Sequence, residues 1–189
     1  LAQGALLFEH SPATILSGQH VETPKGNIFC KKVIVAVDGK LEMLLPELVG
    51  QVRTARLQML ATAPTTEVSL PRPVYARWGY EYWQQLPTGE VALGGFRDKF
   101  REAEWTFENI PTEDIQAALE AFLRNHIGVE ATITHRWAAS VSYTPSGMPL
   151  FKEVRPQVWA IGGYSGTGNV IGALCGQGVA QMAVQGKSF

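Results

Sequence analysis

Apolar residues recur along this chain with two different periods, and the switches between them mark its parts. In "GNIFCKKVIVAVDGK" the run Val33 to Val37 is continuous, β-branched and closed by Asp38-Gly39, which predicts a buried strand, parallel or central in its sheet. Ahead of it, "ATILSGQHVETPKG" predicts short strands with a turn at Pro24 to Gly26. "LEMLLPELVG" puts Leu41, Leu44 and Leu45 at helical spacing, but Pro46 limits the helix to a short one.

A β-rich stretch follows. "TARLQMLATA" alternates imperfectly and would place Leu57, Met59 and Ala61 on one face. "VYARWGYEYWQQLPTGEVALGGFRD" reads as strand, strand, turn, strand, with Pro87-Thr88-Gly89-Glu90 closing a hairpin. "IPTEDIQAALEAFLRNHIG" is the clearest helix: Thr112 suits its N-cap, and Glu113 and Asp114 suit the positive end of the dipole. Ile115, Leu119, Phe122 and Leu123 form its apolar stripe, and Gly128 can end it. "ATITHRWAASVSYT" is strand-like, and "PSGMPL" supplies turn residues. Val158 to Ile161 predicts a last strand, followed by a glycine-packed turn and a small-residue helix from Asn169. The outer sections resemble pieces of one α/β layer, and the middle resembles a sheet domain inserted between them.

Composition narrows this picture only modestly. The chain has 189 residues, 46% hydrophobic and 17% charged, which suits a globular protein with a substantial core. A net charge of −1 gives no electrostatic reason to expect nucleic acid or an anionic membrane as partner. Cys30 and Cys175 lie far apart without a CxxC or Cys/His pattern, so they read as buried or incidental thiols, and His10, His20, His126 and His135 show no ligand spacing, so no metal is expected. With no signal peptide and no apolar run of about 18 residues, a soluble cytoplasmic protein is expected. The chain opens on Leu1 within "LAQGALLFEHSPATILSG", which reads as the interior of a structured region and suggests a piece of a longer protein.

The glycine turn carries the chemistry. Gly162, Gly163, Gly166 and Gly168 allow close backbone approach, and amides at a helix start attract negative charge. Gly166, Gly168 and Gly172 spell GxGxxxG, but a dinucleotide fingerprint needs a further strand and an acidic residue about 20 positions on. Too little chain follows Gly172, and none of it is Asp or Glu. An anion or polar-ring site at the helix start survives beside a purely structural role in tight helix–strand packing.

Three stretches in order resemble one family. "KKVIVAVDGK" resembles the strand and turn that return to the FAD domain in amine and amino-acid oxidases of the D-amino-acid oxidase type. "GEVALGGFRD" is similar to their substrate-domain strand, and "RWAASVSYTPSGMPLF…VWAIGGYSGTGN" to their closing W-x-G…T-P-D-x-x-P…G-x-x-G-x-G signature. "GYSGTGN" resembles especially the gamma-glutamylputrescine oxidases and the glycine or sarcosine oxidases. Two departures stand out: Ala138 or Ala139 replaces the glycine after the closing tryptophan, and Ser146 replaces the aspartate of T-P-D.

The resemblance implies an α/β fold, an α+β piece in which a mixed-sheet substrate domain is flanked by the returning strands and C-terminal helix of a FAD-binding Rossmann-like domain. Residues 1–50 would be a partial FAD-binding domain, 51–135 the β-rich substrate domain, and 136–189 the return with glycine loop and helix. It implies FAD, held without a covalent bond because no cysteine follows Trp137 at the attachment position. The cofactor would lie against Ala36, Val37, Asp38 and Gly39 and against the loop Gly163, Tyr164, Ser165, Gly166, Thr167, Gly168 and Asn169, whose dipoles stabilise charge on the reduced ring. Since no GxGxxG precedes these stretches, residues 1–189 alone are expected to hold FAD weakly and to be inactive. The substrate would be a small amine or amino acid, with Tyr80, Tyr82, Arg97, Tyr143 and Tyr164 as candidate contacts, arginine being suited to bidentate carboxylate binding. Each could equally be structural, Arg97 by pairing with an acid on the sheet surface, and Trp137 is expected to be packing. A face left by a missing layer could drive homo-oligomerisation. A non-catalytic binding or structural domain without cofactor, or a different flavin or NAD enzyme of similar layout, also fits the residues; an upstream strand–GxGxxG–helix and a yellow product would separate these.

Overall fold

The computed structural model describes residues 4–185, so Leu1 lies outside the described residues. In chain order it contains β1 (Ile15–Leu16), β2 (His20–Thr23), β3 (Gly26–Phe29), β4 (Val33–Val35), α1 (Leu41–Leu44), β5 (Arg53–Thr62), β6 (Val74–Ala76), β7 (Glu81–Gln85), β8 (Val91–Gly95), α2 (Glu113–Phe122), β9 (Ile133–Tyr143), β10 (Leu150–Arg155), β11 (Val158–Gly162) and α3 (Gly168–Gln185). The fold is mixed α/β, and the chain divides into two compact units. One takes in the chain up to Arg53 together with the chain from Ser142; the other is Thr54–Val141. The divisions expected after residues 50 and 135 fall short of these boundaries.

In the first unit β11 is the middle strand of the order β10-β11-β4. It pairs antiparallel with β10, Leu150 opposite Gly162, and parallel with β4, Val33 opposite Val158 and Val35 opposite Ala160. β4 is thus parallel, as its unbroken apolar run predicts, but it stands at the edge of the sheet among the described residues. One of its faces is buried through Val33 and Val35, while Ile34 is exposed, because the core lies on one side only. That core joins Val33, Val35, Val158 and Ala160 to Leu41, Leu45 and Leu48. Pro46 ends α1 and opens a single 3₁₀ turn, Pro46–Leu48. β1, β2 and β3 form a separate small antiparallel sheet, turned at Pro24-Lys25.

The second unit is built on the sheet β6-β7-β8-β5-β9. β7 and β8 form the expected hairpin, with Gln85 opposite Val91. Its core brings Leu60, Val91, Leu93 and Phe96 against Ile115, Leu119 and Leu123. Phe122 meets Trp83 and Phe96 edge-on, at 5.5 and 5.6 Å between ring centroids. α2 runs into a π-turn, Leu123–Ile127, and Gly128 ends it with φ 79°.

Two details of this unit depart from the sequence pattern. The buried face of β5 is Arg56, Gln58, Leu60 and Thr62, and Leu57, Met59 and Ala61 are only half-buried. The polar members of that face are satisfied from within: Arg56 by Glu104, and Gln58 by Glu104 and Thr112. Thr112 holds the extended N-cap conformation, but its side chain does not cap the helix. Its hydroxyl accepts from Gln58 Nε2 at 2.7 Å, and its amide donates to Gln58 Oε1 at 2.8 Å.

Candidate functional site

The glycine loop grows out of the middle strand of the first unit. β11 ends at Gly162, and Gly163 turns with φ 63° in a space that admits no side chain: a Cβ there would stand 2.7 Å from Thr144 Cγ2 and 3.3 Å from Val52 Cγ1. Thr167 closes the loop, its amide and its hydroxyl both donating to the Tyr164 carbonyl, at 2.9 and 2.7 Å. α3 then begins at Gly168 with no acidic residue in its first turn. The first amides of a helix have no intrahelical acceptor, so this positive end is not offset by local side-chain charge.

Three segments meet beside the loop. Asp38 follows β4 in the left-handed region, φ 53°. The Tyr164 amide donates to Asp38 Oδ1 at 3.2 Å and the Ser142 amide to Asp38 Oδ2 at 3.3 Å. The Ser142 hydroxyl donates to the Asp38 carbonyl at 2.7 Å. The Ser165 amide donates to the Ser142 carbonyl at 3.1 Å, and the Thr144 amide to Ser165 Oγ at 3.3 Å. Ser142 was not singled out in the sequence, and Thr144 entered only as the threonine of the closing T-P-D motif; their partners across the chain reveal this role.

The loop therefore has an inner and an outer part. Gly163 is buried, and Tyr164 and Ser165 are half-buried and committed to the bonds just given. The Tyr164 ring packs on the first turns of α3: a Cβ at Gly168 would lie 3.2 Å from it, and one at Gly172 3.7 Å. Burial, then the nearby Cys175 and Asp38, push the Tyr164 phenol above its ordinary range. Burial likewise pushes up the thiol of Cys175, which is free and half-buried, as is Cys30. Gly166, Thr167 and Asn169 are exposed, and nothing stands within 4 Å of a Cβ built on Gly166, whose φ is 92°. The open space at Gly166 and the exposure of Thr167 and Asn169 leave the outer rim accessible, so the residues present fit a flavin. Ala36 and Val37 are exposed beside the turn, and Gly39 is half-buried.

The substrate-contact candidates fall in both units. Tyr143, half-buried, ends β9 next to Ser142 in the first unit. In the second, Tyr82 stacks on Tyr75 at 5.8 Å and lies over Gly94, where a Cβ would come within 2.6 Å of its ring. Tyr80 is exposed, with the Arg77 guanidinium 5.7 Å from its ring centroid. The Arg97 guanidinium stands 4.7 Å over the Trp105 ring, a stacking partner in addition to any acid. Asp98 accepts from Arg77, which also grips the buried Glu81. Trp137, expected as packing, is 37% exposed.

Among the described residues no helix is long and apolar enough to cross a membrane. The model of the family described as FAD dependent oxidoreductase (DAO) matches residues 1–182. A probable oxidoreductase, OrdL, of Rhizobium meliloti is 28% identical over 200 residues, covering 98% of this chain and 44% of its own length. Among solved structures, the L-proline dehydrogenase of P. horikoshii superposes with a TM-score of 0.78 at 18% identity, over 99% of this chain and 53% of its own. The glycine oxidase of Bacillus cereus does so with a TM-score of 0.73 at 17% identity, over 96% and 52%. The chain thus spans about half the length of these relatives. A fold that superposes on such oxidoreductases agrees with the match along nearly the whole sequence: the chain belongs to the DAO family of FAD-dependent oxidoreductases.

Proposed function

We propose that this chain supplies the flavin-ring loop and the substrate-carrying sheet of an enzyme that oxidises the C–N bond of a small amine or amino acid to an imine. The observation that carries this reading is the division of the glycine loop, with Gly163 to Ser165 tied into the protein and Gly166 and Asn169 exposed at the start of α3. FAD, when bound, supplies the hydride acceptor. The chain's part would be to hold it, the exposed rim of the loop and the positive end of α3 stabilising negative charge on the ring. Tyr80, Tyr82 and Arg97 are the proposed substrate contacts of the second unit, and Tyr143 is the candidate of the first. Arg97, already oriented by Trp105, suits the carboxylate of an amino acid. The glycine oxidase and proline dehydrogenase neighbours support this choice of substrate class by their names.

The flavin is proposed to be non-covalent, since Cys175 lies in α3 with a thiol whose ionisation burial disfavours. Residues 1–189 by themselves are proposed to bind FAD weakly and to be inactive. A cytoplasmic location, and self-association through exposed apolar residues of α3 such as Val170 and Leu174, complete the proposal.

The test uses protein expressed from the whole reading frame. It should be yellow, release its flavin on acid precipitation, and bleach without oxygen when given its amine or amino-acid substrate. A folded, colourless protein that takes up no FAD would overturn the reading, and flavin retained in the acid pellet would overturn its non-covalent part. Arg97→Lys should raise KM for amino acids about tenfold or more and leave amines lacking a carboxylate unaffected.

A further inference from the structure

We propose that Asp38 is a positioning residue of the cofactor loop and not a cofactor contact. The proposal rests on the flavin reading given above and assigns Asp38 a task within it. Both carboxylate oxygens are engaged by protein amides, Oδ1 by Tyr164 and Oδ2 by Ser142, and its carbonyl takes the Ser142 hydroxyl. The partners of the side chain are two N–H donors, one on each oxygen. A carboxylate is an acceptor on both sides, whereas an asparagine must turn its NH2 towards one of them. Bonds to an ionised acceptor are also the stronger kind.

The backbone is shaped to this task. Asp38 sits at φ 53°, and β11 passes so close that a Cβ on Gly162 would stand 3.0 Å from Asp38 Cα. Tyr164, the residue the carboxylate holds, in turn supplies the carbonyl that closes the loop through Thr167 and the ring that packs on Gly168. Asp38 thereby sets where Gly166 and Asn169 stand and where the first turn of α3 points.

The experiment compares Asp38→Ala, Asp38→Asn and Ser142→Ala in FAD-loaded protein expressed from the whole reading frame. Hydrogen exchange at the Tyr164 amide, FAD dissociation constant, shape of the flavin absorption bands and melting temperature are all read. Asp38→Ala should speed Tyr164 exchange and weaken FAD about tenfold or more, with blurred flavin bands. Asp38→Asn, keeping one acceptor, should recover part of each. If Asp38→Ala does not fold, Ser142→Ala carries the test: it deletes one bond of the set and should weaken FAD about two- to fivefold. Unchanged Tyr164 exchange overturns the proposal, as does faster exchange with unchanged FAD affinity and spectrum. A wild-type protein that takes no FAD removes the functional reading instead, and Tyr164 exchange still reports on the clamp.

Discussion

Arg56 and Glu104 meet inside the sheet unit through two parallel bonds, Nε to Oε2 at 3.0 Å and Nη2 to Oε1 at 2.7 Å, with side chains 5% and 1% exposed. The carboxylate also accepts from Gln58 Nε2 at 3.1 Å, and Arg56 Nη1 donates to the Ile110 carbonyl at 2.9 Å. Glu104→Ala leaves a guanidinium charge buried, so it should cost about 3–5 kcal/mol in urea unfolding. Replacing both partners, Arg56→Met with Glu104→Leu, should cost less than Glu104→Ala alone. A double variant as unstable as the single one would show that the pair itself, and not the stranded charge, holds the unit.

Acid should weaken the first unit through Glu47. Its bond from Arg155 holds its carboxyl below the usual range, so the folded pKa lies under the unfolded one. The contribution is present at neutral pH and is lost as the pH falls through the unfolded and then the folded value. The pair is partly exposed, which limits it to about 1 kcal/mol or less. Wild type and Glu47→Gln should differ in stability at neutral pH and converge in acid.

Alkali acts through Tyr164 with the opposite sign. Its raised phenol pKa means that the unfolded chain loses the proton first, so stability declines as the pH climbs past the ordinary tyrosine range. Ultraviolet titration should show a tyrosine ionising late, and Tyr164→Phe should remove that component.

Two glycines of the loop should respond differently to alanine. Gly163→Ala pushes a methyl into Thr144 and Val52 at a positive φ and should cost about 2–4 kcal/mol. Gly166→Ala meets open space and should cost only about 1 kcal/mol of backbone strain. Under the flavin reading it should nevertheless weaken FAD binding in titrations, because the methyl occupies the approach to the ring.

The periodic and punctuated parts of the fold were legible in the sequence. Pro24, Pro46, Gly89 and Gly128 act locally, and each turn or stop forms where they stand. β10 escaped because "LFKEVR" interrupts its apolar residues with charges: Arg155 reaches back to Glu47, a partner the local pattern does not display. β5 showed its alternation but not which face is inner, since Arg56 and Gln58 are buried by groups about fifty residues away. In the site, the glycines announced the loop through their spacing. Asp38 was named through the family resemblance as a cofactor contact, because nothing in "AVDGK" tells that its oxygens await Ser142 and Tyr164.

Thr54–Val141 is one uninterrupted stretch, entered along β5 and left along β9, which are neighbours in the same sheet. Such a stretch is a cassette: it can be exchanged with that of a relative by two cuts in the gene. Asp38, Ser142 and Tyr164 all lie outside the cuts. Under the proposed function, replacing this stretch would change the substrate-binding sheet and leave in place the bonds that Asp38 accepts from Ser142 and Tyr164.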